Sequence, residues 1–245
     1  MIVLAVDAGN TRIKWGLHDG AAWTARGAAT HGERSALERD WAPLAAPQRI
    51  AVSNVAGPET GAFLRERLAR WGAESCWIRS LPQQGGVRNG YRDPSQLGCD
   101  RWAALIAARR RVSGPCLVVN AGTAMTVDAL AADGLFLGGI IVPGAGLMKR
   151  ALAGSTAALD EAAGLFEDFP RSTADAMVSG SIQALGGAVE RMARLLRERA
   201  GAEPRCILSG GAAPLLAPRL GLPLEVADNL VLEGLLIIAH EPDTA

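Results

Sequence analysis

The chain has 245 residues, 49% of them hydrophobic, with 25 basic and 25 acidic side chains that cancel at neutral pH. That length and apolar content exclude a disordered chain and suit one large or two small globular domains. Zero net charge offers nothing to a polyanion, no stretch approaches the roughly 20 apolar residues of a membrane span, and the four cysteines form no C-x-x-C pair that would bind zinc or carry redox chemistry.

Residues 2–6, IVLAV, are a continuous β-branched-rich run of the kind buried on both faces of a sheet. The small polar turn Asp7-Ala8-Gly9-Asn10-Thr11 follows, and then Ile13, Trp15 and Leu17 alternate with Arg12, Lys14 and Gly16 as in a half-buried strand. Asp19-Gly20 signals a hairpin, with a third strand over 21–27. A helix is predicted over 35–45, opened by a Ser35/Glu38 capping box. After it come a strand at RIAVSNV, a helix from about Pro58 to Trp71 and a strand at ESCWIRS. A turn-rich approach, YRDPSQLG, leads into an alanine-rich helix ending in Arg109-Arg110-Arg111, where cations suit the helix dipole and solvent. The start MIVLAVDAGN lacks the basic region and apolar length of a signal peptide, so a cytoplasmic protein with reduced thiols is expected, with neither nucleic acid nor membrane among its partners.

The pattern then repeats. CLVV runs into Asn120-Ala121-Gly122-Thr123, Met125, Val127 and Ala129 alternate, Asp133-Gly134 turns, and LFLGGIIV returns. Asp7-Ala8-Gly9-Asn10 aligns with Asn120-Ala121-Gly122-Thr123 without a gap, and the Asp-Gly turns lie 12 and 13 residues further on. A helical tract over 172–200, the strand RCILSGG and a final helix over 229–240 complete the second copy. The expectation is a duplicated α/β fold: an N-terminal lobe over 1–113, a C-terminal lobe over 114–245, and a cleft between them. Each lobe offers a strand–turn–strand loop whose amides and hydroxyls grip phosphate, glycine letting the backbone come close to the anion. The glycines Gly180, Gly186 and Gly187 within the long helix imply a tightly packed neighbour. His18, His31 and His240 lie near turns or the C-terminus, form no hydrolase triad or H-E-x-x-H, and are read as surface residues.

Candidate chemistry gathers at Gly98-Cys99-Asp100-Arg101, on a helix start. Asp100 there is either a helix cap or a general base, and Arg101 beside it suits an anionic substrate. Lys14 is either a phosphate contact or a solvated strand residue. Tyr91, the single tyrosine, suits a placed polar aromatic.

The whole arrangement resembles the actin/Hsp70/sugar-kinase superfamily, a ribonuclease-H-like fold of two mixed-sheet lobes flanking an ATP cleft. Within it the chain is similar to type III pantothenate kinases. The carrying motifs are DAGNTRIKWGL, SNV, YRDPSQLGCDRW, NAGTAMTVDA, GGIIVPG, STAALD, STADAMVSG and LVLEGLL, in order over nearly the whole chain. The resemblance implies ATP-dependent phosphorylation of pantothenate at its terminal hydroxyl, the first step of coenzyme A synthesis. It implies that Asp7, Ala8, Gly9, Asn10, Thr11, Arg12, Ile13 and Lys14 cover the nucleotide phosphates, with Gly122 and Thr123 as a second contact. By the same resemblance Tyr91, Gly98, Cys99, Asp100, Arg101 and Thr173 line the pantothenate pocket, and Asp100 is the base. It further implies Mg²⁺ with Asp7 as its protein partner, directly or through water, and a homodimer. Members commonly carry Asp where this chain has Asn120, and that Asp is associated with K⁺ or NH₄⁺, so a weakened monovalent-cation site is expected here. The competing expectations are another phosphotransferase of the superfamily and a non-catalytic ATP-binding regulator.

Overall fold

The computed structural model describes residues 1–155 and 164–241, so of the STAALD stretch only Ser155 falls within it. The chain forms two compact units: Met1–Arg111 together with the segment from Asn229 onward, and Val112–Asp228.

The first unit opens with β1 (Val3–Ala8), buried along its whole length, followed by β2 (Arg12–His18) and β3 (Trp23–Thr30) as an antiparallel meander. Then come α1 (Arg34–Trp41), β4 (Arg49–Asn54), α2 (Pro58–Leu68) and β5 (Glu74–Trp77). The sheet order is β3-β2-β1-β4-β5, with β1, β4 and β5 parallel. Its core gathers Leu4, Val6, Ile13, Trp15, Leu37, Trp41, Val52 and Leu64. Trp15 meets Trp41 edge-on at 6.5 Å between ring centres, and Trp41 meets Trp71 at 5.9 Å, so these indoles fill the core.

Ser35 does not cap α1. The helix starts one residue earlier, no side chain caps it, and Thr30 Oγ1 instead donates to Glu33 at 2.9 Å across the short 3₁₀ turn His31–Glu33. A short hairpin, β6 (Gln83–Gln84) and β7 (Val87–Asn89), turns on Gly85 and Gly86, both at positive φ. Next is α3 (Cys99–Arg111), buried from Arg101 to Ala108.

The second unit repeats the plan: β8 (Cys116–Ala121), β9 (Ala124–Leu130) and β10 (Leu135–Pro143) form the meander. After α4 (Ala145–Ser155) and α5 (Thr173–Ala200) come β11 (Arg205–Ser209), α6 (Ala213–Leu216) and β12 (Leu224–Val226). Five strands of its seven-stranded sheet, in the order β10-β9-β8-β11-β12 and parallel at β8, β11 and β12, repeat the first sheet strand for strand. Its core joins Leu117, Val119, Val127, Ile182, Leu185, Val189 and Leu208.

The last helix, α7 (Leu230–His240), departs from the expected lobe boundaries. It belongs to the first unit, packing on α3, β1 and β4. The cause is its apolar face, with Leu230, Leu232, Leu235 and Ile238 buried, and Gly234, whose missing side chain makes room for the Ala103 carbonyl of α3. Arg111 clasps Glu233 through Nε and Nη2 at 2.7–2.9 Å, so the basic helix end is partly neutralised within the fold. The α5 glycines are not sites of close packing within the chain: among the described residues nothing lies within 4 Å of a side chain built at Gly180 or Gly187, and Gly186 meets only Leu220 at 3.8 Å.

Candidate active site

In the first unit the buried strand β1 delivers Asp7 to the start of an exposed turn. Gly9 N–H donates to Arg12 O at 3.1 Å, closing the turn, while Asn10 and Thr11 stand at its exposed tip. Asp7 pairs across the sheet with Lys14 of β2 and Ser53 of β4, which puts all three on one face. The Asp7 side is only 7% exposed. Burial pushes its carboxyl from 3.8 up to about 7, the Asp100 charge adds to the rise, and Lys14 and the Ser53 hydroxyl oppose it. Lys14, half-buried, therefore shares that face with the buried carboxyl. Asp7 Oδ1 has no hydrogen-bond partner among the described residues. An open carboxylate oxygen beside a phosphate-type turn fits Mg²⁺, a hard cation that takes oxygen ligands and keeps several waters.

The start of α3 lies on the same side of this unit. A side-chain carbon at Gly98 would fall 2.6 Å from Asp100 Oδ1, so glycine is what allows that carboxylate to fold back. Asp100 Oδ1 accepts from Arg101 N–H at 2.8 Å. Asp100 thus does both things its sequence position suggested: it bonds a free amide at the helix start and brings a charge close enough to disturb Asp7. Ser53, fully buried, is the link between the two carboxylates' elements: it hydrogen-bonds Asp7 and lies 3.4 Å from Cys99 Sγ. Burial pushes the Cys99 thiol up, which keeps it neutral and unreactive.

Arg101 is 7% exposed, and a buried guanidinium needs partners. Its Nη1 donates to Tyr91 Oη at 3.0 Å, with the charge 5.7 Å from the ring centre. Tyr91 is set in turn by its N–H donating to Asn89 Oδ1 at 3.0 Å. Ser80 Oγ donates to the Pro94 and Leu97 carbonyls, 2.9 and 2.6 Å away, and so fastens the approach to α3. Ser95 donates N–H and hydroxyl to Asp93, which holds that carboxyl below the usual range and shapes the turn. Ser80 and the Ser53–Cys99 contact carried no recognisable signal in sequence, because their partners are distant along the chain.

In the second unit Asn120 is the next-to-last residue of β8 and Gly122-Thr123 form the exposed tip, closed by Gly122 N–H donating to Ala124 O at 3.1 Å. Two glycines press on this turn from behind. Gly144 N–H donates to Thr123 O at 2.9 Å, and a side chain there would strike the Gly122 carbonyl. Gly210, at φ +100°, abuts the Ala121 backbone, which explains the first of the two glycines after β11; Gly211 has open space around it. Thr173 is the first residue of α5, exposed, next to Ser172, whose hydroxyl caps the helix by accepting from Asp175 N–H at 3.2 Å. Among the described residues no cluster of three His, Cys, Asp or Glu side chains could hold a metal, and no helix is long and apolar enough to cross a membrane.

Two copies of one β-meander unit, each with a glycine turn at the end of its first strand, define the actin/Hsp70/sugar-kinase class of ATPase folds. In keeping with it, a Sinorhizobium meliloti protein described as a candidate 2-dehydro-3-deoxygalactonokinase superimposes with a TM-score of 0.63 at 17% identity, over 96% of this chain and 97% of its own. The chain belongs to the type III pantothenate kinase family: the family model matches residues 3–195. A type III pantothenate kinase of Nitrosospira multiformis is 54% identical over 98% of this chain and 92% of its own length. Another, of Aromatoleum aromaticum, is 51% identical over the full length of both.

Proposed function

We propose that the chain transfers the γ-phosphoryl group of ATP to the terminal hydroxyl of pantothenate, with Asp100 as general base. As the new oxygen–phosphorus bond forms, the hydroxyl proton passes to the Asp100 carboxylate and the bond to ADP breaks. The observation that carries this assignment is the placing of two carboxyls, Asp7 and Asp100, on elements that meet at Ser53, which pairs with Asp7 in the sheet and lies 3.4 Å from Cys99 Sγ at the start of α3. One acid group stands beside a phosphate-type turn and the other beside a buried arginine. Arg101, hydrogen-bonded to Tyr91 Oη, suits the pantothenate carboxylate. The Gly9–Thr11 turn, with Lys14, suits the phosphates, and Gly122-Thr123 is the corresponding turn of the repeat, closed one residue tighter. Mg²⁺ held by Asp7 would neutralise phosphate charge.

Asn120 offers a neutral amide oxygen where a carboxylate would attract a cation more strongly, so any K⁺ or NH₄⁺ requirement is weak. A homodimer is supported by an apolar groove of about 420 Å³ on the second unit, between α4 and α5, lined by Leu147, Met148, Leu152 and Met177. Buried thiols at Cys116 and Cys206, pushed up to about 12, and the absence of disulfides among the described residues suit a reducing cytoplasm.

The test is ADP release by the purified chain with Mg²⁺ and ATP, with and without pantothenate. ADP formation should depend on pantothenate, and Asp100→Asn should lower kcat by about 10²–10⁴ while pantothenate still binds. ADP release indifferent to pantothenate would overturn the reading, and an Asp100→Asn enzyme at half the wild-type kcat would remove Asp100 from the mechanism.

A further inference from the structure

We propose that His31 is a positioning residue for the phosphate turn, setting the direction of the Asn10 amide through the Gly9 carbonyl. This rests on the reading of Gly9–Thr11 as the grip on ATP. The last residue of β3, Thr30, lies opposite Arg12 at the mouth of β2, so the residue that follows it arrives beside the β1–β2 turn. There the His31 ring nitrogen Nε2 lies 2.9 Å from Gly9 O. A carbonyl oxygen only accepts, so Nε2 carries the hydrogen and donates it. The other nitrogen, Nδ1, is buried with no hydrogen-bond partner among the described residues, so this bond alone orients the ring's polar edge. The 3₁₀ turn that carries the ring is held by the Thr30–Glu33 side-chain bond.

The consequence follows from peptide planarity. In a trans peptide the carbonyl of one residue and the N–H of the next point in opposite directions. With the Gly9 carbonyl fixed toward His31, the Asn10 N–H is fixed away from it. Gly9 N–H is already committed to Arg12 O. Glycine would otherwise let this peptide rotate with little resistance. Rotated, it would turn a carbonyl dipole toward an anion in place of an amide hydrogen. His31 therefore favours the donor face of the turn, and its ligand class is the phosphate chain of a nucleoside triphosphate. No part of this depends on a charge on the ring, since the neutral Nε2–H form suffices.

Steady-state kinetics on the full chain test it. His31→Leu keeps bulk and removes the donor, while His31→Gln keeps an N–H donor. H31L should raise the KM for ATP about fivefold, the worth of one net hydrogen bond, with the KM for pantothenate unchanged within about twofold. H31Q should restore most of the ATP affinity. Asn10→Ala and Thr11→Ala probe the turn itself. If either raises the ATP KM and H31L does not, the turn reading stands and the role of His31 is overturned. If none of the variants moves the ATP KM, both are overturned. An H31L defect equal for ATP and pantothenate, or one that H31Q fails to rescue, means a merely structural histidine and also overturns the proposal. Should H31L not fold, His31→Ala gives the same comparison.

Discussion

Arg101 and Asp7 show how burial turns ordinary side chains into specific ones. Arg101→Ala should weaken pantothenate binding by about 10- to 150-fold, the range of a charge-assisted hydrogen bond, with much less effect on ATP. Isothermal titration with each ligand checks this, and equal losses would make Arg101 structural. For Asp7 the folded value, about 7, lies above the ordinary 3.8. Below that ordinary value both folded and unfolded chains are protonated and nothing is lost. As pH rises toward 7 the unfolded chain ionises first, so stability declines through that window and levels off above it. Asp7→Asn removes the penalty. Denaturation at pH 5 and pH 8 should show the variant gaining on wild type as pH rises, by on the order of 3 kcal/mol between the two. A gap that does not change with pH would contradict a desolvated carboxyl. The DAGNT turn and the GCDR helix start were legible because their residue types are rare at such spacings. His31 was not: it was read as a surface residue, and its bond reaches Gly9, 22 residues back along the chain. Lys14 was left open for a related reason, since only strand pairing shows that it opposes Asp7.

Helix–helix contact sets the next scale. The crossing of α3 and α7 leaves no room for a methyl at Gly234, because the Ala103 carbonyl occupies its place. Gly234→Ala should cost about 1–3 kcal/mol and lower the unfolding midpoint by roughly 2–12 °C. Gly187→Ala is the contrasting case. Nothing lies within 4 Å of it, so helix propensity alone acts and the change should be neutral or stabilising by about 1 kcal/mol. Calorimetry on both variants decides the matter, and equal effects would show that the crossing is not tight. The meanders and their Asp-Gly hairpins could be read from alternation and turn chemistry. The capping box at Ser35 could not be trusted, because the chain enters α1 from a 3₁₀ turn that shifts the helix start by one residue. Helix α4 and strands β6, β7 and β12 were missed: three of them are only two or three residues long, and α4 follows directly on an apolar strand that masks its period.

At the scale of the whole molecule, duplication explains why five strands of the second sheet repeat the order of the first. The long helix α5 exposes Gly180 beside Met177 along the same groove that Leu147 and Leu152 line. If a second copy covers that groove, Leu152→Glu should shift the chain from dimer to monomer in sedimentation velocity. A wild-type chain that sediments as a monomer would exclude the dimer. The repeat was visible in the sequence, but the allegiance of α7 was not. The copy-by-copy pattern assigns the last helix to the second half, and only the fit of its apolar face onto β1 and β4 assigns it to the first.

That allegiance bears on how the protein is made. On the ribosome β1 and α3 emerge early, yet the helix that covers them is separated from them by the entire second unit. At usual translation speeds the first unit waits roughly ten seconds with its apolar floor uncovered. During that interval the second unit, contiguous from Val112 to Asp228, can close by itself. Synthesis order and folding order are therefore opposed: the half begun first is the half finished last, because the helix that covers its sheet follows the whole of the second unit.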